Sequence, residues 1–270
     1  MSRVIRLGLV VHPDKPEAAA LAASLTRMCG ERGIEATVLD VAKPALDVVD
    51  IVVGIGGDGT LLKAAGIAGP ADVPVIGVNL GRVGYLADIE PDNLDMLLDG
   101  MVKESLEVDY RMTLVAEAEG YPAATGINDI VIEKVLSHRL VQIGVEINGR
   151  YFTTYRADGI IVATPLGSTA YSLSAGGPVV DPDLDALIMT PVAPHSLLSR
   201  TIMLSPDAVV RFSVEIDRPA RVDVDGKEAM LLEPGSHLDV RRGERPVRFL
   251  SLGAHPFPQA VRHQFGLDHA

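Results

Sequence analysis

Tryptophan is absent from this 270-residue chain, aromatic residues make up only 4%, and there is one cysteine, Cys29. A single cysteine excludes a disulfide framework or a cysteine-based zinc cluster within one chain, and it is read here as a buried, inert thiol. Apolar residues are 47% of the chain, so with few aromatics the core must be built from Val, Ile, Leu and Ala. Positive charge is also scarce. Lys and Arg number 24 against 36 Asp and Glu, a net charge of −12. General nucleic-acid binding needs a basic face, so that class is set aside. An acidic protein still binds an anionic nucleotide through local N–H groups and a few Arg or Lys. No apolar run suits a transmembrane helix. The opening Met1-Ser-Arg-Val-Ile-Arg-Leu-Gly8 runs straight into a strand pattern and does not read as a signal peptide. The expectation is a cytoplasmic protein with no membrane and no nucleic-acid partner.

What is present is organised around residues 50–63, Asp50-Ile-Val-Val-Gly-Ile-Gly-Gly-Asp-Gly-Thr-Leu-Leu-Lys63. An apolar run ends in a glycine cluster, and a helical pattern follows. Strand, glycine turn and helix is how an open parallel sheet presents backbone N–H groups to a phosphate. Glycine lets a backbone approach closely. Asp58, a carboxylate inside such a cradle, repels phosphate and needs its own reason; accepting a proton or holding a metal are the candidates. Its bland alternative is a solvated Asp-Gly turn.

The first hundred residues alternate between strand and helix. Strands are expected at 4–11, 34–39, 51–56 and 73–78, and helices at 18–32, 60–67 and 91–101, with a short helical connection at 44–49. That alternation predicts a Rossmann-like α/β domain with a parallel sheet covered on both faces. From residue 105 the texture changes to short strand-like runs separated by turns. Asn148-Gly149 and Asp225-Gly226 are hairpin signals. Single strands are expected at 111–117, 126–134, 140–147, 151–155, 160–164, 201–204, 209–216, 221–224, 237–240 and 247–250, which predicts an all-β, β-sandwich-like domain. The expected boundaries are 1–104 and 105–252, with a helix at 258–267 inside a 253–270 segment that returns to the first domain. Two stretches interrupt the β pattern. Gly167-Ser168-Thr169 is expected to open a helix through Ser174 with Ser168 and Thr169 as caps, a second anion or ribose site. Pro191–Arg200 is expected to be a proline-punctuated loop.

Gly54, Gly56 and Gly59 match G-x-G-x-x-G after a strand, a weak signal alone. A dinucleotide dehydrogenase needs an acid about 20 residues further on, and Asn79 stands near that distance instead. No Gly-Lys-Ser/Thr follows, so the Walker pattern is absent. The histidines (His12, His138, His237, His255, His263, His269) show no metal spacing, and His195 lies among prolines as a loop-ordering residue. Ser168 lacks the G-x-S-x-G frame of a nucleophile.

Gly56-Gly57-Asp58-Gly59-Thr60 resembles the signature shared by NAD kinases and the diacylglycerol and sphingosine lipid kinases, with 6-phosphofructokinases more distant. Gly167-Ser-Thr-Ala-Tyr-Ser-Leu-Ser-Ala-Gly-Gly-Pro178 resembles a second, more specific NAD kinase motif. Asn128-Asp129 resembles that family's paired Asn-acid motif, and Asn79-x-Gly-x-x-Gly-Tyr85 and Pro194-His195-x-Leu197 through Arg200 also fit. Leu166 departs from the Thr usual between Pro and Gly, which removes one ligand-contacting hydroxyl. The resemblance spans essentially the whole chain.

It implies phosphorylation of NAD on the 2′-hydroxyl of its adenosine ribose, with ATP or another phosphoryl donor and Mg²⁺ or another divalent cation. On that reading Asp58 accepts the hydroxyl proton and helps place Mg²⁺. The metal is held by no set of protein ligands alone, because nucleotide oxygens and water supply most of its coordination. Gly56, Gly57, Gly59 and Thr60 form the phosphate cradle. The same resemblance assigns NAD contacts to Asp58, Gly59, Lys63, Tyr85, Arg139, Arg156, Asp158 and Ala193. It places Asn128 on adenine, Asp129 on ribose hydroxyls, Asp158 at the nicotinamide end, and Thr169, Ala170, Tyr171, Ser172, Leu173 and Ser174 along the adenine and ribose pocket. The Asn128 and Asp129 pair is expected to face Asp58 across an interdomain cleft. Read without the resemblance, Asn128-Asp129 is equally a turn pair, Lys63 a surface lysine, and Arg139 and Arg156 solvated strand charges. The family also implies homodimers or homotetramers joined through the β domains. Two alternatives stay open. A lipid kinase requires an apolar entry for an acyl chain, and a dinucleotide-binding dehydrogenase or sensor binds without ATP turnover.

Overall fold

The computed structural model describes residues 4–81, 84, 89–136, 138–215, 218–253 and 257–267. The chain divides into two compact units, residues 1–110 with 247–270, and residues 111–246.

The first unit contains β1 (Arg6–Val11), α1 (Pro16–Glu31), β2 (Glu35–Val38), β3 (Ile51–Gly56), α2 (Asp58–Ala68), β4 (Val75–Asn79), α3 (Leu94–Val102) and β5 (Glu107–Arg111). Helix α1 starts with Pro16 at its first position and Glu17 in its first turn, both favourable at the positive end of a helix. It buries Ala18, Ala22, Leu25 and Cys29, one stripe of the helix. Gly33, with φ of 70°, follows its end. Strands β1, β2, β3 and β4 pair in parallel. Strand β4 is buried at every position, as a strand covered on both faces should be. The core here is aliphatic, with Leu7, Leu9, Leu25, Val53, Ile55, Ile76, Leu97 and Leu98 at or near zero exposure.

The second unit contains β6 (Leu114–Glu117), β7 (Ala124–Gly126), β8 (Asp129–Lys134), β9 (Val141–Ile147), β10 (Arg150–Ala157), β11 (Gly159–Ala163), the single turn α4 (Tyr171–Ser174), β12 (Leu187–Val192), β13 (Ile202–Leu204), β14 (Val210–Val214), β15 (Ala220–Val224), β16 (Lys227–Leu232) and β17 (His237–Arg242). They form two six-stranded sheets, ordered β10-β9-β14-β17-β6-β7 and β13-β12-β11-β8-β15-β16. The core between them draws on both, with Leu114, Ile143, Val145, Tyr155 and Phe212 from one sheet and Ile130, Ile132, Ile160, Val162, Met189 and Val222 from the other. The turns at Asn148-Gly149 and Asp225-Gly226 have positive φ at both residues (52° and 72°, 48° and 72°), the geometry that Asn-Gly and Asp-Gly favour.

The chain returns to the first unit through β18 (Val247–Ser251) and α5 (Phe257–Gln264). The first sheet has the order β2-β1-β3-β4-β18-β5.

Several local expectations are corrected. Residues 247–250 do form a strand, but β18 pairs in parallel with β4, Phe249 opposite Val75, and belongs to the α/β sheet. A five-residue strand carries no mark of which sheet it will join. The run expected as one strand over 126–134 is two. β7 lies in one sheet of the second unit and β8 in the other, so the chain changes sheets at Ile127-Asn128. Residues 44–49 are turn and extended chain, since six residues hold too few hydrogen bonds to nucleate a helix. Pro191 and Val192 complete β12 instead of opening a loop. Pro191 pairs opposite Ile160 on β11, while β13 accompanies β12 only over Leu187–Met189. A residue without an N–H therefore sits where β12 has become an edge.

The helix expected over 167–174 is also broken. Residues Leu166–Thr169 make a 3₁₀ turn, and Ala170 (φ −93°, ψ −131°) separates it from α4. Ser168 caps nothing. Its Oγ accepts from the Val180 N–H at 3.0 Å and donates to the Val180 carbonyl at 3.3 Å. Thr169 Oγ1 turns back on the Leu166 carbonyl at 3.4 Å. A four-residue turn has no macrodipole to speak of, so it adds no helix-end attraction for an anion.

Candidate active site

In the first unit, β3 delivers the chain to Gly56, Gly57 caps the following helix in an extended conformation, and Asp58, Gly59 and Thr60 form the first turn of α2. The carboxylate therefore has a structural reason to be there, because the positive end of a helix favours an acid in its first turn. The Thr60 N–H is not offered outward as expected. It donates to the Gly57 carbonyl at 2.9 Å, as does the Leu61 N–H at 3.1 Å. Thr60 is buried, and its side chain packs so closely on Gly56 that a methyl group at Gly56 would overlap it. Gly59 is exposed; Gly57, Asp58 and Lys63 are half-buried.

The loop after β4 closes on this turn. The Leu80 N–H donates to the Gly56 carbonyl at 2.8 Å, and the buried Asn79 accepts the Gly81 N–H on Oδ1 at 3.1 Å. Gly84 lies directly against the Asp58 carboxylate, and any β-carbon there would overlap it. Asp58 is thus held between its own helix turn and a glycine backbone. Tyr85, expected near the bound nucleotide, lies outside the described residues.

In the second unit the site is built at the sheet-changing corner. Asn128 is half-buried, and its Oδ1 is enclosed without a hydrogen-bond partner among the described residues. An amide acceptor in that state is ready for a ligand N–H group. Asp129, 5% exposed, opens β8. Burial first, and the charge of Asp225 second, push its carboxyl up to about 7. Asp225 is raised by burial too, but its carboxylate accepts three backbone N–H groups that favour the charged form.

The neighbouring glycine-rich turn is tied to the same corner. Fully buried Thr164 donates its hydroxyl to the Ile127 carbonyl at 2.7 Å, accepts the Gly167 N–H at 3.0 Å and donates its own N–H to the Asn128 carbonyl at 2.9 Å. Gly167 sits so close to the Asn128 backbone that a side chain there would collide with it. Ser172 is buried and shares a hydroxyl network with Thr190 at 3.0 Å, which continues to Thr201 at 3.1 Å. Ser172 thus holds the turn down, while Tyr171 and Ser174 are exposed and Thr169, Ala170 and Leu173 half-buried. The Tyr171 phenol is raised by burial and by the charges of Glu133, Asp158 and Asp129. Leu166 is buried.

Asp158 lies at the far end of the same strand pair. Its side chain pairs with Lys134, its carbonyl accepts the Lys134 N–H at 2.8 Å, and its own N–H donates to the Val192 carbonyl at 3.0 Å. Asp129 and Asp158 therefore mark opposite ends of β8, about 17 Å apart by strand rise. Arg139 is exposed in the turn after β8, Arg156 is exposed on β10, and Ala193 is exposed with φ of 44° just past β12. The His195 N–H donates to the Arg156 carbonyl at 2.7 Å, a loop-ordering contact. Arg139 and Arg156 stand outside the hydrogen-bonded network of the corner. Sequence reasoning missed Thr164, Lys134 and Asp225. Asp225 was legible only as a turn residue, because nothing local signals a carboxylate that bonds 96 to 98 residues away.

Among the described residues no group of three or more His, Cys, Asp or Glu is placed to hold a metal, and no helix is long and apolar enough to cross a membrane.

Comparison with known proteins matches both halves of the chain, in order. The ATP-NAD kinase N-terminal domain model matches residues 37–106, and the ATP-NAD kinase C-terminal domain model matches residues 127–252. The chain is 38% identical to NAD kinase 2 of Streptomyces avermitilis, covering 96% of this chain and 93% of that protein. It is 39% identical to the NAD kinase of Mycobacterium tuberculosis, over 87% of this chain and 78% of that one. Its structure is similar to that of an NAD kinase from Archaeoglobus fulgidus in complex with ATP, with a TM-score of 0.79 and 26% identity over 97% of this chain and 98% of that chain. It shares its fold with a yeast NADH kinase complexed with NADH, with a TM-score of 0.90 and 22% identity over 100% and 89% of the two chains.

Proposed function

The chain belongs to the NAD kinase family, and we propose that it transfers a phosphoryl group from ATP to the 2′-hydroxyl of the adenosine ribose of NAD, making NADP. The observation that carries this reading is that both halves of the chain match, in order, the two halves of one enzyme family.

Phosphoryl transfer needs positioning, neutralisation of charge on the phosphates and a group that takes the hydroxyl proton. Asp58 is that group. Its carboxylate is held against Gly84 at the start of α2, the end of a helix that also attracts phosphate. Gly56, Gly57 and Gly59 let donor phosphates approach the backbone, and Lys63 adds a cation one turn along. Thr60 supports the turn from beneath. NAD lies along β8 in this reading. Asn128 receives the adenine amino group on its unpartnered Oδ1, Asp129 receives ribose hydroxyls, and Asp158 faces the nicotinamide end. Thr169 to Ser174 cover the adenosine, with the exposed Tyr171 ring available for stacking. The two ends of β8 suit an elongated dinucleotide. Arg139, Arg156 and Ala193 are assigned to the rim. A divalent cation such as Mg²⁺ neutralises donor phosphate charge when bound. The residues fit one that keeps its water and nucleotide oxygens, since Asp58 is the carboxylate of the cradle. We assign homo-oligomeric assembly to the second unit, which light scattering on purified protein checks.

The test is direct. Wild-type protein with NAD, ATP and Mg²⁺ forms NADP, read by a NADP-specific dehydrogenase. The Asp58→Asn variant loses about 10²- to 10⁴-fold in kcat, the usual scale for removing a general base, while its Kd for NAD by calorimetry stays within a few-fold. Absence of NADP with ATP and with polyphosphate removes the kinase reading. A near-normal kcat in Asp58→Asn removes the proton-acceptor role alone.

A further inference from the structure

The corner at Ile127-Asn128 poses a backbone problem. A chain leaving one sheet for another loses its ladder partners, and its buried N–H groups must find others. Three consecutive N–H groups, those of Ile127, Asn128 and Asp129, find the same one. The Asp225 carboxylate accepts Ile127 on Oδ2 at 2.8 Å, and Asn128 and Asp129 on Oδ1 at 2.7 and 3.1 Å. The Asp225 N–H donates in return to the Asp129 carbonyl at 3.0 Å. Four hydrogen bonds thus join the β15–β16 turn to the corner. On the carbonyl side, Thr164 collects Ile127 and Asn128, so the three donors of the corner go to Asp225 and two of its three acceptors to Thr164. A carboxylate accepting several backbone N–H groups is stronger than neutral partners would be, and it fixes all three peptide planes at once.

We propose that Asp225 is the positioning residue of the dinucleotide site. It does not touch NAD but sets the direction of the Asn128 and Asp129 side chains. This rests on the NAD kinase reading. The backbone at Ile127 and Asn128 lies between β7 and β8, and Asp129 is only the first residue of β8, opposite Ala163, so the three N–H groups that aim the Asn128 and Asp129 side chains all end on this one carboxylate. Its negative charge also faces Asp129 and holds it toward its protonated form. The other groups facing this pair are the Tyr171 phenol, which senses Asp129, and Lys227, which acts on Asp225. The ionised Asp129 carboxylate is the stronger acceptor for ribose hydroxyls, and the charge of Asp225 adds to burial in raising the pH at which it forms.

The full chain tests this with two substitutions that keep the positive-φ turn. Asp225→Gly removes the carboxylate; Asp225→Asn restores one acceptor oxygen without the charge. The expected result is a folded protein by circular dichroism, KM for NAD raised at least tenfold in Asp225→Gly and less in Asp225→Asn, with KM for ATP and kcat changed less than threefold. In wild type KM for NAD falls as pH rises from 6 to 8, as Asp129 ionises. In Asp225→Asn that fall moves to lower pH, because the neighbouring charge is gone. Asn148→Gly is the control. Its turn has the same φ signs, its Oδ1 accepts the Val209 N–H at 2.9 Å, and the turn joins β9 to β10, in the other sheet from β8 and β15. It should lower stability and leave KM for NAD alone. Asp225 variants that match this control, or an Asp225→Asn chain that does not fold, overturn the inference. Wild type inactive with NAD and ATP points instead to failure of the kinase reading.

Discussion

A carboxyl group such as Asp129 leaves a thermodynamic mark that does not depend on substrate. Its pKa is raised by burial to about 7, above the value near 4 of an unfolded aspartate. Between those pH values the folded chain binds more protons than the unfolded one, so the stability tied to this group is fully present below about pH 4 and is lost as pH rises through about 7. The Asp129→Asn variant is neutral throughout and lacks this slope. Its Tm relative to wild type should rise steadily from pH 4 to pH 8, by an amount worth on the order of a few kcal/mol at the upper end. A flat difference in thermal unfolding across that range would show that Asp129 titrates normally. Asp58 belongs to the same scale but presents a different problem. Its place in the first turn of α2 is what a helix wants from any acid, so the role proposed for it rests on the glycine cluster around it and on its contact with Gly84.

At the scale of elements, two segments changed their allegiance relative to the sequence pattern, and both matter to the site. Strand β8 begins at the corner because Ile127-Asn128 leaves one sheet for the other, so the NAD-assigned pair stands at a strand origin, not in mid-strand. Strand β18 inserts beside β4, with Phe249 packed at 7% exposure. The pairing is at Val75, the start of the strand whose other end leads toward Gly84. The Phe249→Ala variant should lose roughly 3–5 kcal/mol of stability in urea denaturation, the scale of a buried Phe truncation. A loss under 1 kcal/mol would mean that β18 is dispensable to the first sheet. The glycine-rich turn shows the opposite relation. Its motif reads as a helix, yet Thr164, Gly167 and the Ser172–Thr190 pair hold it as two short turns against the corner.

At the scale of the whole molecule, the second unit is one continuous segment and the first is assembled from both ends of the chain. That asymmetry predicts different behaviour for fragments. Residues 111–246 expressed alone should fold, with a strand-rich circular dichroism spectrum and cooperative melting, because both sheets and the core between them lie within it. Residues 1–110 alone should not, since the sheet then lacks β18 between β4 and β5; adding 247–270 in trans or through a linker should restore folding. A stably folded 1–110 fragment would refute this.

The division of the chain into an α/β part and an all-β part was legible from periodicity alone, because strands flanked by helices and strands flanked by turns leave different hydrophobic patterns. The loop at 56–60, the Asn128-Asp129 pair and the 167–178 motif stood out in the sequence because each is a local run that resembles a family motif, and the roles proposed for them rest on that resemblance. Tertiary structure alone decided which sheet a strand joins, as with β18, and where a run breaks between sheets, as at Ile127-Asn128. It alone decided that Asp225 serves the corner, and that Thr60 supports its turn without offering an N–H. The physical reason is common to all four. Each depends on a partner brought close by folding, while periodicity and motif spacing report only on neighbours along the chain.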